Sequence, residues 1–228
     1  MKLLLFDIDG TLLLTHGVGR RSVEEALLRV LGRPLSTEGV SFSGKTDPQI
    51  FAEVLDLHGI PPQSLNGQFE ALLEVYGELM HEAVRARGVE VLPGVPTLLE
   101  QLASTQNVHL ALLTGNLEPM AYLKLEAAGL DGYFGFGAFG SDSPDRNALP
   151  AIALERARAS TGLDFRGKDV IVIGDTERDI ACSRAVGAFS IAVCTGRFKR
   201  ADLLAHAPDA LLDDLSDAPG FLRYVLGG

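Results

Sequence analysis

Apolar residues in this chain follow two kinds of pattern. Four short, nearly continuous runs, Leu3 to Phe6, Val108 to Leu113, Val170 to Ile173 and Ser190 to Val193, are bounded by Gly, Asp or Thr. Runs of this length without polar alternation predict strands buried on both faces. Between them the apolar positions take helical spacing. One helix begins at Pro96 and runs through Leu98, Leu99 and Leu102. Others cover about Glu118 to Ala128, stopped by Gly129, Ala151 to Ala159, and Asp179 to Val186, stopped by Gly187. Proline suits a first helical turn and glycine the residue after the last one. Buried strands alternating with helices predict a parallel sheet covered on both faces.

From about Thr15 to Arg87 the pattern is purely helical. Val23, Ala26, Leu27, Val30 and Leu31 form one stripe, and Ile50, Phe51, Val54 and Leu55 a second. A longer third stripe holds Leu65, Phe69, Leu72, Leu73, Tyr76, Leu79 and Met80, and Pro34, Pro61 and Pro62 separate the three. Three amphipathic helices inserted after the first strand predict a helical cap over residues 15–87. The catalytic core is then residues 1–14 and 88–228, an α/β Rossmann-like parallel sheet.

Composition narrows the partners. A formal net charge of −10 argues against a nucleic-acid or anionic-membrane surface, which calls for clustered Lys and Arg. Cys182 and Cys194 are the two cysteines, with no short-spaced pair, so neither a disulfide framework nor a structural zinc site is expected. The apolar start is interrupted by Asp7 and Asp9, too early for a secretory segment, and no run reaches the ~20 residues of a membrane span. These features lead to an expected cytoplasmic location.

Chemistry-bearing residues gather at strand ends. Asp7-Ile8-Asp9-Gly10-Thr11, Thr114-Gly115-Asn116, the loop from Ser141 to Arg146, and Gly174-Asp175-Thr176-Glu177-Arg178-Asp179 are four polar segments, most of them directly after an apolar run. In a doubly wound sheet, ligands bind beyond the carboxyl ends of the strands, so the four loops face one crevice. Converging carboxylates repel unless a cation lies among them, and carboxylate and carbonyl oxygens with water suit Mg²⁺. Magnesium so held commonly serves phosphoryl transfer. Thr114 with the Gly115 and Asn116 amides can donate to phosphate. A carboxylate nucleophile would split hydrolysis into two steps through an acyl phosphate, with one neighbouring carboxyl as acid and then base.

These segments resemble the four motifs of the haloacid dehalogenase-like superfamily, and the likeness covers nearly the whole chain. Asp7-Ile8-Asp9-Gly10-Thr11 matches the first motif, Leu113-Thr114-Gly115-Asn116 the second, and Gly174-Asp175 with Asp179 the fourth. The helical insertion and the run Glu126-Ala127-Ala128-Gly129-Leu130 with Tyr133-Phe134 are similar to the phosphoglycolate phosphatase-like branch. The resemblance implies a magnesium-dependent phosphatase acting on a small phosphorylated metabolite. It implies Asp7 as nucleophile and metal ligand, and Asp9 as general acid/base offering its backbone carbonyl to the metal. Asp175 becomes the other protein ligand, with Thr11 and Asp179 in support, and Thr114, Gly115 and Asn116 hold the phosphoryl oxygens. A sugar phosphomutase and a phosphonate hydrolase share parts of this pattern. A non-catalytic phosphoacceptor module fits less well, because such modules lack the helical insertion and the Asp7/Asp9 spacing.

One position departs from the family pattern. The third motif normally carries Lys before a Pro-containing helix, and here that place reads Asp145-Arg146-Asn147-Ala148-Leu149-Pro150. Arg146 is the candidate cation, able to hold two oxygens at once. Lys124, inside a helix, is the weaker alternative. In the cap, Ser43-Gly44-Lys45-Thr46-Asp47 offers Lys45 as a substrate contact, while the plainer reading is a helix N-cap at Asp47 before Pro48. Arg20 is a further candidate anion contact.

Overall fold

A computed structural model describes residues 1–227. The chain starts with β1 (Lys2–Phe6) and the two-residue β2 (Leu13–Leu14), then the helices α1 (Val18–Leu31), α2 (Asp47–Leu57) and α3 (Gln68–Arg87). Next come β3 (Glu90–Val91), α4 (Val95–Ser104), β4 (Val108–Leu113), α5 (Glu118–Ala128), β5 (Gly137–Ala138) and α6 (Leu149–Thr161). The remainder is β6 (Val170–Gly174), α7 (Glu177–Ala185), β7 (Phe189–Val193), α8 (Arg200–Ala205), β8 (Ala210–Leu212) and α9 (Ala218–Leu226).

The main sheet is parallel, in the order β5-β4-β1-β6-β7-β8, with β1 between β4 and β6. Side chains alternate across it. Leu4, Phe6, Leu112 and Ile173 enter one apolar core, and Leu3, Leu5, Leu113 and Val172 enter the other. Both faces are therefore covered, which is why these strands read as continuous apolar runs. The expected α/β Rossmann-like fold is the observed one. Phe6 is level with Leu112 on one side and Ile173 on the other, so all three central strands end together. Asp7 follows at once, its backbone N–H donating to the Ile173 carbonyl at 2.9 Å.

The helical segment has a core of its own. Leu27, Phe51, Leu55, Leu72, Tyr76 and Met80 are buried together, with Phe51 and Tyr76 edge to face at 5.6 Å between centroids. Its two connections to the sheet are tied by an antiparallel pair, Leu13 opposite Val91 and Leu14 opposite Glu90. Two-residue strands carry too little periodicity to be read from sequence. Helix starts also differ from expectation. The N-cap of α2 is Thr46, whose hydroxyl accepts from the Gln49 N–H, and Asp47 is its first residue. Asp47 does not cap its own helix because its carboxylate is turned outward to other donors. The helix expected from Asp179 begins at Glu177, because Thr176 and Asp179 form a reciprocal capping box.

Candidate active site

The four polar loops converge at the carboxyl end of the sheet on a cavity of about 620 Å³ that the helical segment closes from above. Its floor is acidic. Carboxylate oxygens of Asp7, Asp175 and Asp179 lie within 4.8 Å of one another, and all three side chains are buried. Gly10 makes this crowding possible. Its φ of +86° suits glycine, and a Cβ there would lie 2.5 Å from Asp175 Oδ2.

Charge within the cluster is only partly balanced. Arg146, 4% exposed, places Nη2 3.1 Å from Asp7 Oδ1 and in contact with Asp179 Oδ1. Both contacts come from one nitrogen and reach two different carboxylates. Arg146 thus holds two oxygens at once, through a single nitrogen that Asp179 and Asp7 share. Burial opposes the charge on Arg146, but Asp179 and then Asp7 outweigh it and hold the guanidinium more firmly protonated than usual. Asp179 Oδ2 accepts from the Thr176 N–H at 3.0 Å and from its hydroxyl at 2.7 Å. Asp179 thus anchors the start of α7 and Arg146 together.

Asp175 has no such support. Its Oδ1 is buried without a hydrogen-bond partner, and burial, with Asp7 and Asp179 beside it, raises its carboxyl well above the usual range. Burial likewise pushes Asp7 up to about 7, against the pull of Arg146. Burial and the neighbouring carboxylates oppose the charged form of both groups. An orphaned carboxylate oxygen in an all-oxygen donor set fits a hard divalent cation, which would relieve that opposition. Asp179 lies beside Asp7 and Asp175 as the expected supporting carboxylate, while the Asp9 side chain turns its carboxylate elsewhere.

That carboxylate faces the cavity. Asp9 Oδ2 accepts from Lys124 Nζ at 2.6 Å and from Asn116 Nδ2 at 2.8 Å, while the Asp9 side chain stays 40% exposed. Asn116 Nδ2 also donates to Thr114 Oγ1 at 2.8 Å, and its Oδ1 accepts from Lys124. The Asn116 side-chain amide is therefore committed to Asp9 and Thr114. Thr114 is fully buried at the end of β4, and Thr11 is buried with its hydroxyl unpartnered.

The helical segment meets the core here. The Asp47 N–H donates to the Gly115 carbonyl at 2.8 Å, and Thr46 Oγ1 donates to the Pro144 carbonyl at 2.9 Å. Gly115 permits the approach, since a Cβ on it would lie 2.1 Å from the Lys45 carbonyl. Asp47 Oδ2 accepts from the Leu117 N–H at 2.8 Å and Oδ1 from the Tyr76 hydroxyl at 3.2 Å. Burial pushes the Asp47 carboxyl up to about 6, against Lys124 and the Leu117 N–H.

Two expected substrate contacts are engaged otherwise. Arg20 donates to the Thr37 hydroxyl and carbonyl and to the Val40 carbonyl, with its guanidinium 4.1 Å from the Phe42 ring centroid. Its donors hold the 37–42 loop. Lys45 lines the cavity, but its ammonium is paired with Glu53. Nothing in the sequence marks Asp47 as the residue that ties the helical segment to Leu117, or Tyr76 as its partner. Lys124, the weaker candidate by sequence, carries one visible signal: it falls in the buried stripe of α5, beside Ala121 and Leu125.

Comparison with known proteins supports a family reading. A family model described as haloacid dehalogenase-like hydrolase matches residues 1–187. A phosphoglycolate phosphatase of Nitrosospira multiformis is 28% identical over 98% of this chain and 96% of its own. One from Pseudomonas fluorescens is 25% identical over 94% of this chain and 77% of its own. The crystal structure of CbbY from Rhodobacter sphaeroides in complex with phosphate superposes with a TM-score of 0.72 at 19% identity. It covers 95% of this chain and 96% of that one, and at this identity the likeness is one of fold.

Proposed function

Because the chain belongs to the haloacid dehalogenase-like hydrolase family, we propose that it is a magnesium-dependent phosphatase of small, phosphoglycolate-like phosphomonoesters. The observation that carries the reading is the pairing of Asp7 and Asp9. One is a buried carboxylate beside Arg146; the other, two residues on, is anchored through one oxygen and open to the cavity. Asp7 attacks phosphorus while the ester P–O bond breaks, and Asp9 gives the departing oxygen its proton. Asp9 then takes a proton from the water that releases phosphate and regenerates Asp7. Arg146 offsets charge on Asp7 as the phosphoryl group arrives.

Asp7, Asp175 and the Asp9 backbone carbonyl would hold magnesium, with Asp179 beside them. When bound, the ion supplies charge neutralisation for the phosphoryl group and these carboxylates. The cavity volume suits a small metabolite. The names of the relatives favour phosphoglycolate as the first ester to test. Free cysteines at 182 and 194 accord with a reducing, cytoplasmic setting. Phosphate release from a panel of phosphorylated metabolites, with and without magnesium, is the test. Selective, magnesium-dependent turnover that Asp7→Asn abolishes is expected, and undiminished turnover by that variant would refute the reading.

A further inference from the structure

Resting on that reading, we infer that Lys124 is a positioning residue for Asp9. It pins one oxygen of the carboxyl group and leaves the other directed to the cavity for proton exchange. The site holds two buried cations with no shared carboxylate. Arg146 touches Asp7 and Asp179, whereas Lys124 touches Asp9 and Asn116. Lys124 is therefore built into the proton-transfer side of the site and not into the phosphoryl-charge side.

The geometry explains why a lysine is kept there. Its side chain is 4% exposed on the buried stripe of α5, where an ammonium group is tolerated only with partners. An ammonium has donors and no acceptor, so the Asn116 face turned toward Lys124 must be its Oδ1. That orientation aims Asn116 Nδ2 at Asp9 Oδ2 and Thr114 Oγ1. One lysine thus orients Asp9 twice, directly at 2.6 Å and through the amide at 2.8 Å. Without it, a side chain 40% exposed to the cavity would be free to turn.

Proton donation matters most when the leaving group is a poor one. The test compares an alkyl ester, 2-phosphoglycolate, with 4-nitrophenyl phosphate, whose leaving group departs without a proton. Lys124→Met should lower kcat/KM for the alkyl ester on the order of 10²-fold, the scale of a misplaced acid catalyst. The loss on the aryl ester should be at least about tenfold smaller, and the variant should add little to Asp9→Asn. Equal losses on both esters, or single losses that multiply in the double variant, would overturn the inference. So that a poorly folding Lys124→Met does not stall the question, the wild-type protein is also crystallised with magnesium and beryllium fluoride. Lys124 Nζ should remain on Asp9 and Asn116, and a move onto the fluoride ligands would refute positioning. Wild-type protein that hydrolyses neither ester would remove the phosphatase reading itself, an outcome distinct from either result above.

Discussion

Arg146→Ala puts the charge balance of the site to its most direct test. At 3.1 Å, one guanidinium–carboxylate pair is attractive by about 5 kcal/mol for an effective dielectric of about 20. Two carboxylates within 4.8 Å of each other repel by at least about 3.5 kcal/mol on the same footing. Through its two contacts Arg146 offsets the repulsion between Asp7 and Asp179, and removing it leaves three buried carboxylates with no organic cation. Breaking such a pair from one side costs about 3–5 kcal/mol. For a chain of this length that is a melting temperature lower by about 6–20 °C. The assay is thermal unfolding of wild type and variant in EDTA and again in saturating Mg²⁺. In EDTA the full deficit is expected, and magnesium should recover part of it by supplying charge to the same carboxylates. kcat/KM should fall by orders of magnitude in either case. Arg146→Lys should recover part of both, since charge returns while one ammonium reaches two carboxylates less easily. An Arg146→Ala protein that melts like wild type in EDTA would show that the cluster is protonated and needs no cation.

Other outcomes follow from the same geometry. Asp9→Asn should retain magnesium affinity by calorimetry yet lose about 10²–10⁴-fold in turnover, and loss of metal binding would contradict its assignment to proton transfer. Magnesium titrated into metal-free wild-type protein should raise the melting temperature with concentration, and Asp175→Asn should blunt that rise. Asp47, about 6 in the folded protein against an ordinary 3.8, binds more protons folded than unfolded. Its contribution is thus fully present below about pH 4 and lost as pH rises through 6, by about 3 kcal/mol at most. Asp47→Asn should remove that slope in urea unfolding between pH 4 and 7, because its Oδ1 can still accept from Leu117 while Tyr76 turns to accept from Nδ2. An unchanged difference between wild type and variant across that range would exclude a buried, titrating Asp47.

The sequence by itself carried the architecture and the acids. Strands covered on both faces are apolar throughout, so β1, β4, β6 and β7 stand out locally, and whatever follows them must lie at the sheet's carboxyl edge. Asp7, Asp9, Thr114, Asp175 and Asp179 were legible for that reason. Shorter elements were not, since β2, β3 and β5 have two residues each and exist only through their partners. Arg146 was legible too, from its place before a Pro-containing helix, but the partners of the cations were decided by tertiary structure. Arg20 looked free until Thr37 and Val40 took its donors, and Lys45 until Glu53 met its ammonium. Arg146 and Lys124 appeared to compete for one role, yet each reaches a different carboxylate. Lys124 meets Asp9 across 115 positions of sequence, and Asp47 meets Leu117 across 70. A long side chain's task is set by the acceptors within its reach in space, and neither periodicity nor spacing along the chain records them.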